Sequence, residues 1–194
     1  MSYPPPEIRP DILRFCNQIC RGSDPVWVSV QPVSYAEQDD CFGTVSKTIK
    51  KRGGNRILGW DITEWPGVFM EAEFHAIWQS EEGALTDLSP KLLPYDRILF
   101  LPDHVRQYQG YRLDNIRIAT NPDPLVARFI ELSELMYEDM RKNKQLDQVG
   151  KLNMSREFAI LHAEKAAVEL QLMQKYGHRY IAGLQAIGIS PSGL

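Results

Sequence analysis

Hydrophobic and polar residues in the first half of the chain follow the periods of short helices and β-strands. Residues 11–21 place apolar side chains three or four positions apart, and this spacing predicts a helix with one buried face. Residues 26–32, 56–62, 97–102 and 111–119 are alternating or continuously apolar runs and are predicted to be strands. With the hairpin described next, these segments predict a contiguous antiparallel sheet.

The clearest two-residue alternation lies at residues 68–79. Its even positions are all apolar, whereas its odd positions include Glu73 and His75. Residues 84–89 are predicted to be the returning strand, because the intervening turn suits a three-residue loop in which Gly83 takes the left-handed conformation. The pattern therefore predicts a β-hairpin whose even face packs on the core and whose polar, odd face carries His75 away from it.

Residues 41–52 are predicted to form a helix whose inward stripe includes Val45. Three basic residues at its end suit the negative end of the helix dipole, and the glycine pair that follows provides a left-handed stop. Asp39 or Asp40 would be the N-cap. Cys41 would then be the first residue of this helix.

The second half of the chain has a different pattern. After the sequence NPDP at residues 121–124, residues 125–143 and 155–176 show apolar side chains at helical spacing and predict two long helices, separated by a polar stretch. The predicted domains are an α+β core at residues 1–120, a helical pair packed on or beside that core at residues 121–176, and a weakly ordered tail at residues 177–194.

Composition restricts the classes of function. The 194 residues are 43% hydrophobic and 24% charged, which is enough apolar material for a sizeable core. A net charge of -3 gives no basic surface for nucleic acid. The N-terminal sequence has no basic segment followed by an apolar run, and no stretch is apolar enough to span a membrane, so we expect a cytoplasmic protein. Three cysteines without an export signal are expected to be reduced thiols.

Three residues form a candidate catalytic set. The predicted loop places Asp87 opposite Ile77 and diagonal to His75, within reach of its imidazole, so that Asp87 could fix the tautomer and leave the other ring nitrogen as a base. Cys41 is the best-placed nucleophile, since a helix N-terminus stabilises a thiolate. The aspartates before it would oppose that charge unless they cap the helix.

The same residues also allow simpler interpretations. A cysteine at a helix start can be an inert packed residue, and a histidine or an aspartate near a hairpin turn can be surface. An oxygen-rich metal site would require Glu71, Glu73, His75 and Asp87 together, but three ligands on one strand spread over roughly 13 Å. Cys16 and Cys20 lie one helical turn apart, but no third ligand is near in sequence, and packed thiols are expected.

The stretch DCFGTVSKTIKKRGG, followed by LGW and by EAEFHAIWQSEEGALTDLSP, resembles the catalytic core of the transglutaminase-like group within the papain-like cysteine hydrolases. The resemblance covers residues 40–90. It implies that Cys41 is the nucleophile, His75 the base and Asp87 the orienting acid. It also implies an α+β fold in which an antiparallel sheet packs against the helix that bears the nucleophile. The two C-terminal helices are not part of that core.

These observations predict a cysteine-dependent acyl-transfer enzyme, an amide hydrolase, peptidase or transglutaminase-like protein, that needs no cofactor and no metal. Its substrate would be a peptide or protein amide. Gln31 and Gln38 lie ten and three residues before Cys41, and neither spacing is typical of the papain-like hydrolases. Gln31, which ends a strand and could point across the site, is the candidate oxyanion donor beside the Cys41 amide, and Trp60 and Trp65 are candidate walls of the substrate cleft. The alternative is a non-catalytic interaction protein that dimerises or binds a partner through its C-terminal helices.

Overall fold

The computed structural model describes residues 2–146 and 155–190, and within them the chain forms an α+β fold. Every predicted helix and strand is present, although several boundaries differ by a few residues. In chain order the elements are α1 (Pro10–Ile19), β1 (Val26–Val30), α2 (Cys41–Arg52), β2 (Asn55–Trp65), β3 (Phe69–Gln79), β4 (Leu85–Asp87), β5 (Arg97–Pro102), β6 (Ile116–Ala119), α3 (Pro124–Lys142) and α4 (Arg156–Ala186).

The strands lie in the order β2, β5, β1, β4, β3, β6, and β2 also pairs with β3 along its whole length. The first five strands therefore close into a barrel-like sheet, and β6 extends the edge of β3. The prediction of a purely antiparallel sheet is wrong at one pair, because β1 and β4 run parallel. The remaining ladders are antiparallel.

The predicted register of the β3–β4 hairpin is confirmed. Trp78 pairs with Thr86 and Gln79 with Leu85, and Gly83 has a φ of 90°, as the three-residue loop requires. On the same edge of β3, β6 pairs with residues 69–72, so the two partner strands occupy opposite ends of this edge. His75 lies between them.

Closure of the sheet gives β3 two buried faces. Its even residues pack outside the barrel, where Ala72 and Phe74 meet α1 and Ala76 meets α2. Its odd residue Ile77 packs inside, in a cluster to which all five strands contribute. His75 shares the face of Ile77 and is only 5% exposed. The prediction that His75 points away from the core is therefore wrong, because the polar face of the hairpin is the inner face of the barrel.

Helix α2 begins at Cys41 and ends before Gly53, as predicted. The side chain of Asp40 accepts a hydrogen bond from the Gly43 amide at 3.0 Å and is the N-cap. Gly53 has a φ of 71° and provides the left-handed stop. Val45 is buried against Ala76 of β3, so α2 lies against the outer face of the sheet with its N-terminus beside the barrel opening.

Helices α3 and α4 form the predicted C-terminal pair and pack on one end of the sheet. Phe129 and Leu132 of α3 join Leu172 of α4 in a buried cluster with Trp65 and Phe69. Residues 177–186, predicted to be part of a weakly ordered tail, instead continue α4, because Tyr180 and Leu184 bury apolar surface in the same cluster. Residues 191–194 of that tail lie outside the described residues. Across residues 2–146 and 155–190, no helix has the length and apolar character that crossing a membrane requires.

Candidate active site

A cavity of about 630 Å³ opens at the polar end of the barrel, where the N-terminus of α2 meets the inner face of β3. The candidate nucleophile Cys41 and the candidate base His75 both line it. The C-terminal helices form the opposite wall. Their contributions are Ser133, Met136, Tyr137 and Met140 from α3 and Lys165 and Tyr180 from α4.

The thiol of Cys41 is placed by the first turn of α2. Its residue is 8% exposed, and the thiol lies close enough to the imidazole of His75 for a hydrogen bond and a charge interaction. The first amides of a helix have no partner within the helix, and Asp40 caps the amide of Gly43 rather than that of Cys41. The sulfur therefore lies beside backbone N–H donors at a helix N-terminus.

His75 and Asp87 meet across the hairpin, as its register predicts. The Nε2 atom of His75 lies 3.1 Å from Oδ1 of Asp87, and the side chain of Asp87 is fully buried. Oδ1 lies off the direction of the Nε2–H bond, so we describe the contact as an ion pair rather than a straight hydrogen bond. The amide of Ser89 donates to the same Oδ1 at 3.0 Å and holds the carboxylate in place.

The ionisation of this pair follows from its surroundings. Burial alone lowers the pKa of His75, but the charges of Asp87 and Cys41 and close contacts with both raise that pKa well above its ordinary value. Burial alone raises the pKa of Asp87, but His75 and Lys91 lower it well below its ordinary range. Both shifts favour the charged forms of the pair, an imidazolium and a carboxylate.

Lys91 is a component of the site that the sequence did not reveal. Its Nζ atom lies 2.6 Å from Oδ2 of Asp87 and 3.3 Å from Oδ2 of Asp61, and its side chain is only 11% exposed. Burial lowers the pKa of Lys91, but the two carboxylates raise it above its ordinary value. Asp87 therefore balances two buried cations, one on each carboxylate oxygen.

Aromatic side chains line the cavity next to the thiol. Phe42, the residue after Cys41, stacks on Tyr108 with ring centroids 3.7 Å apart and an interplanar angle of 6°. Phe42 also contacts Phe74 of β3 at a centroid distance of 5.8 Å. All three rings line the cavity, so the nucleophile faces an apolar, aromatic wall on one side.

Other predicted site residues lie elsewhere. Trp60 and Trp65 are 2% and 0% exposed and belong to the core, so the prediction that they wall the cleft is wrong. They pack because β2 is covered by α1 at Trp60 and by the C-terminal helices at Trp65. Gln31 is exposed and does not line the cavity, whereas Gln38, three residues before Cys41, does. The structure thus places Gln38, and not Gln31, in the wall of the cavity that Cys41 lines.

The two remaining cysteines lie in α1 and at its C-terminal end. Cys16 is 1% exposed within the core and Cys20 is half-buried, in keeping with the expectation of packed thiols. Among residues 2–146 and 155–190, no group of three or more histidine, cysteine, aspartate or glutamate side chains is arranged to hold a metal ion.

The residues that sequence reasoning missed reach the site, with the exception of Lys91, from distant parts of the chain. They are Asp61, Lys91, Tyr108 and the cavity-lining side chains of α3 and α4. Only Lys91 carried a local signal, since it follows Asp87 by four residues after Ser89-Pro90. The others become neighbours only when the sheet closes and the helices dock.

Compared with protein-family models, with curated proteins and with solved structures, the chain gives no match. The site must therefore be interpreted from its own geometry.

Proposed function

We propose that the protein is a cysteine-dependent acyl-transfer enzyme that acts on an amide, built on a core similar to that of the transglutaminase-like and papain-like hydrolases. The observation that supports this proposal is the meeting of Cys41 and His75 in one cavity, with the buried carboxylate of Asp87 3.1 Å from His75. A thiol, an imidazole and a carboxylate in this order are the components that nucleophilic catalysis requires. The chain supplies them from three separate elements.

In the acylation step the sulfur of Cys41 attacks the amide carbonyl carbon, and the carbon–nitrogen bond breaks. His75 holds the proton that the thiol gives up and passes it to the leaving amine, a role suited to an imidazolium. Asp87 keeps the imidazole oriented and stabilises its positive charge. The products of this step are a thioester on Cys41 and a free amine.

In the second step water or another amine attacks the thioester. His75 takes a proton from this acceptor, the carbon–sulfur bond breaks, and Cys41 leaves as the thiolate beside the protonated His75, so that one proton is again shared between the two residues. With water the net reaction is hydrolysis of the amide to an acid and an amine. With an amine the net reaction is exchange of one amide for another.

The negative oxygen of the tetrahedral intermediate needs hydrogen-bond donors. The backbone amide of Cys41 at the start of α2 is one candidate, and the side-chain amide of Gln38 is the second, because it lines the same cavity. This assignment replaces Gln31, which lies outside the cavity. Loss of one such donor typically lowers kcat by about 100-fold or more.

The first test is selective alkylation. Near neutral pH, iodoacetamide should label Cys41 well before Cys16 and Cys20, as followed by mass spectrometry of the digested protein. Burial raises the pKa of Cys16 to about 12 and that of Cys20 to about 11, so neither thiol is expected to supply much thiolate. Equal labelling of all three cysteines, or none at Cys41, would contradict the proposal.

The variant His75→Gln should slow alkylation of Cys41 about tenfold or more, because the imidazolium no longer offsets the charge on sulfur. The matched control is His104→Gln, which changes an exposed histidine outside the cavity. Activity should then be profiled with libraries of peptide amides and esters, with Cys41→Ala as the inactive reference. If labelling is selective but no thioester forms with any amide or ester, the protein is a binding module on this scaffold.

A further inference from the structure

Glu73 is a cavity-lining carboxylate that the proposed mechanism does not use. It lies two residues before His75 on β3, so both side chains share the face of the strand that lines the cavity. Two residues along a strand span roughly 7 Å. Glu73 is solvent-exposed within the cavity, unlike His75, and is therefore accessible to a molecule that enters it.

The carboxylates around Glu73 are already neutralised. Asp61, its cross-strand partner, and Asp87 both lie beside Lys91. Glu71, two residues earlier on β3, pairs with Arg117 at 2.7 Å and accepts a hydrogen bond from Asn115. Glu73 has no hydrogen-bond or ion-pair partner within the part of the chain that the structure describes. It is the cavity carboxylate on this strand that still lacks a counter-ion.

The surroundings of Glu73 disfavour its charge. Removal from bulk water raises the pKa of Glu73, and the negative charges of Asp61 and Glu71 raise it further. The positive charges of His75 and Lys91 lower it. The net result is a pKa above the ordinary value. A carboxylate in such a position is stabilised when a cation binds beside it. Among the described residues His75 and Lys91 act on Glu73 without forming an ion pair with it, so a ligand can supply the direct cationic partner.

The other basic residues at this part of the cavity do not reach Glu73. Arg117, on β6, pairs with Glu71 at 2.7 Å and with Asp114 at 3.1 Å. Lys91 pairs with Asp61 and Asp87. A ligand with a positive group can therefore supply the direct partner that Glu73 lacks.

We infer that Glu73 determines substrate specificity by binding a cationic group, an ammonium or guanidinium, that the substrate carries near the carbonyl attacked by Cys41, because Glu73 and Cys41 line the same cavity. This inference rests on the proposed function and names its substrate class, amides with a positively charged side chain of the length of lysine or arginine. The charged pair forms inside an aromatic-walled cavity, where electrostatic interactions are stronger than in bulk water.

The charge preference can be measured without a substrate. Two thiol reagents of matched size, 2-aminoethyl and 2-sulfonatoethyl methanethiosulfonate, differ in the sign of their charge and modify Cys41 by disulfide formation with release of methanesulfinate. The rate constant of each reagent at Cys41 is divided by its rate constant with a small free thiol. The ratio of the two normalised values, cationic over anionic, reports the electrostatic preference of the cavity. Intrinsic reactivity of the thiol cancels in this ratio.

The unmodified protein should favour the cationic reagent, and Glu73→Gln should lower the ratio about five- to tenfold. Glu73→Lys should reverse the preference, whereas Glu73→Asp, which keeps the charge, should retain most of it. The matched control is Glu134→Gln, which removes an exposed carboxylate of α3 outside the cavity. Thermal unfolding of each variant establishes that the fold is intact.

A ratio unchanged by both Glu73→Gln and Glu73→Lys overturns the inference, even if Cys41 is selectively alkylated by iodoacetamide. The opposite outcome is also possible to recognise. If iodoacetamide alkylates Cys41 slowly and unselectively, but the ratio of the two methanethiosulfonate rates follows the charge at residue 73, the proposed enzyme is overturned and Glu73 remains a cation-binding residue. With an active enzyme, Glu73→Gln should raise KM for a lysyl amide about five- to tenfold and leave KM for its neutral norleucyl analogue unchanged.

Discussion

At the scale of single residues, Asp87 connects the candidate site to the stability of the fold. Its Oδ1 atom faces His75 and the Ser89 amide, and its Oδ2 atom faces Lys91. A fully buried carboxylate is stable only because these partners offset the loss of hydration. The contact between Asp87 and His75 also raises the pKa of His75.

We predict that Asp87→Asn lowers the pKa of His75, because the main charge that raises it is removed. The measurement is a pH titration of the His75 ring resonances by NMR in both proteins. Asp24→Asn, at an exposed position before β1, is the control and should leave the titration of His75 unchanged. An unaltered His75 titration in folded Asp87→Asn would contradict the assigned ion pair.

The pair also predicts how stability depends on pH. The contribution of Asp87, whose pKa is lowered on folding, is complete above about pH 4 and is lost as pH falls through its lowered pKa. The contribution of His75, whose pKa is raised, is complete below about pH 6.5 and is lost as pH rises through its raised pKa. Urea unfolding at a series of pH values should show this window in the unmodified protein and a weaker dependence in Asp87→Asn.

At the scale of elements, α2 determines where the nucleophile lies. Its boundaries follow from the Asp40 cap, the buried Val45 and the left-handed Gly53, all of which are local features of the sequence. Because Cys41 is the first residue of the helix, the sulfur lies next to the Asp40 cap.

We predict that Asp40→Ala lowers the free energy of unfolding by about 1 kcal/mol, since the Gly43 amide loses its acceptor. Asp40→Asn keeps an acceptor oxygen and should cost much less. Urea unfolding measures both, and the alkylation rate of Cys41 shows whether the cap also positions the thiol. Equal stability of the alanine and asparagine variants would argue against the capping role.

At the scale of the whole molecule, the C-terminal helices complete the cavity. Helix α3 supplies part of its wall, and the buried cluster with Leu172 and Tyr176 of α4 fixes both helices on the end of the sheet. The apolar side chains of Phe129 and Leu132 on α3 are buried in this interface. Partner binding by the helices would have to use other faces.

We predict that Leu172→Ala lowers the free energy of unfolding by about 2–5 kcal/mol, because the side chain is fully buried between the helices and the sheet. Leu170→Ala, on the same helix but 61% exposed, should change it by less than about 0.5 kcal/mol. Thermal or urea unfolding distinguishes them. Similar small effects at both positions would mean that the helices are not docked as described.

Much of the local structure could be predicted from the sequence. Helix α2 has the predicted bounds, and the β3–β4 register, which brings Asp87 to His75, follows from the turn at Gly83. Both depend on interactions among residues close in the chain, namely capping, turn conformation and alternation. The three residues of the candidate catalytic set were named on these grounds alone.

The tertiary structure decided the environment of those residues. A two-residue alternation separates the two faces of a strand, but it does not predict whether the sheet closes. The pairing of β2 with β3 closes the sheet, and this closure turns His75 inward and buries it. Lys91 and Glu73 acquired their roles from the charges that closure placed around them. The sequence by itself determined local geometry and chemical type, whereas contacts between distant segments determined exposure, counter-ions and the shape of the cavity, because these depend on which surfaces meet.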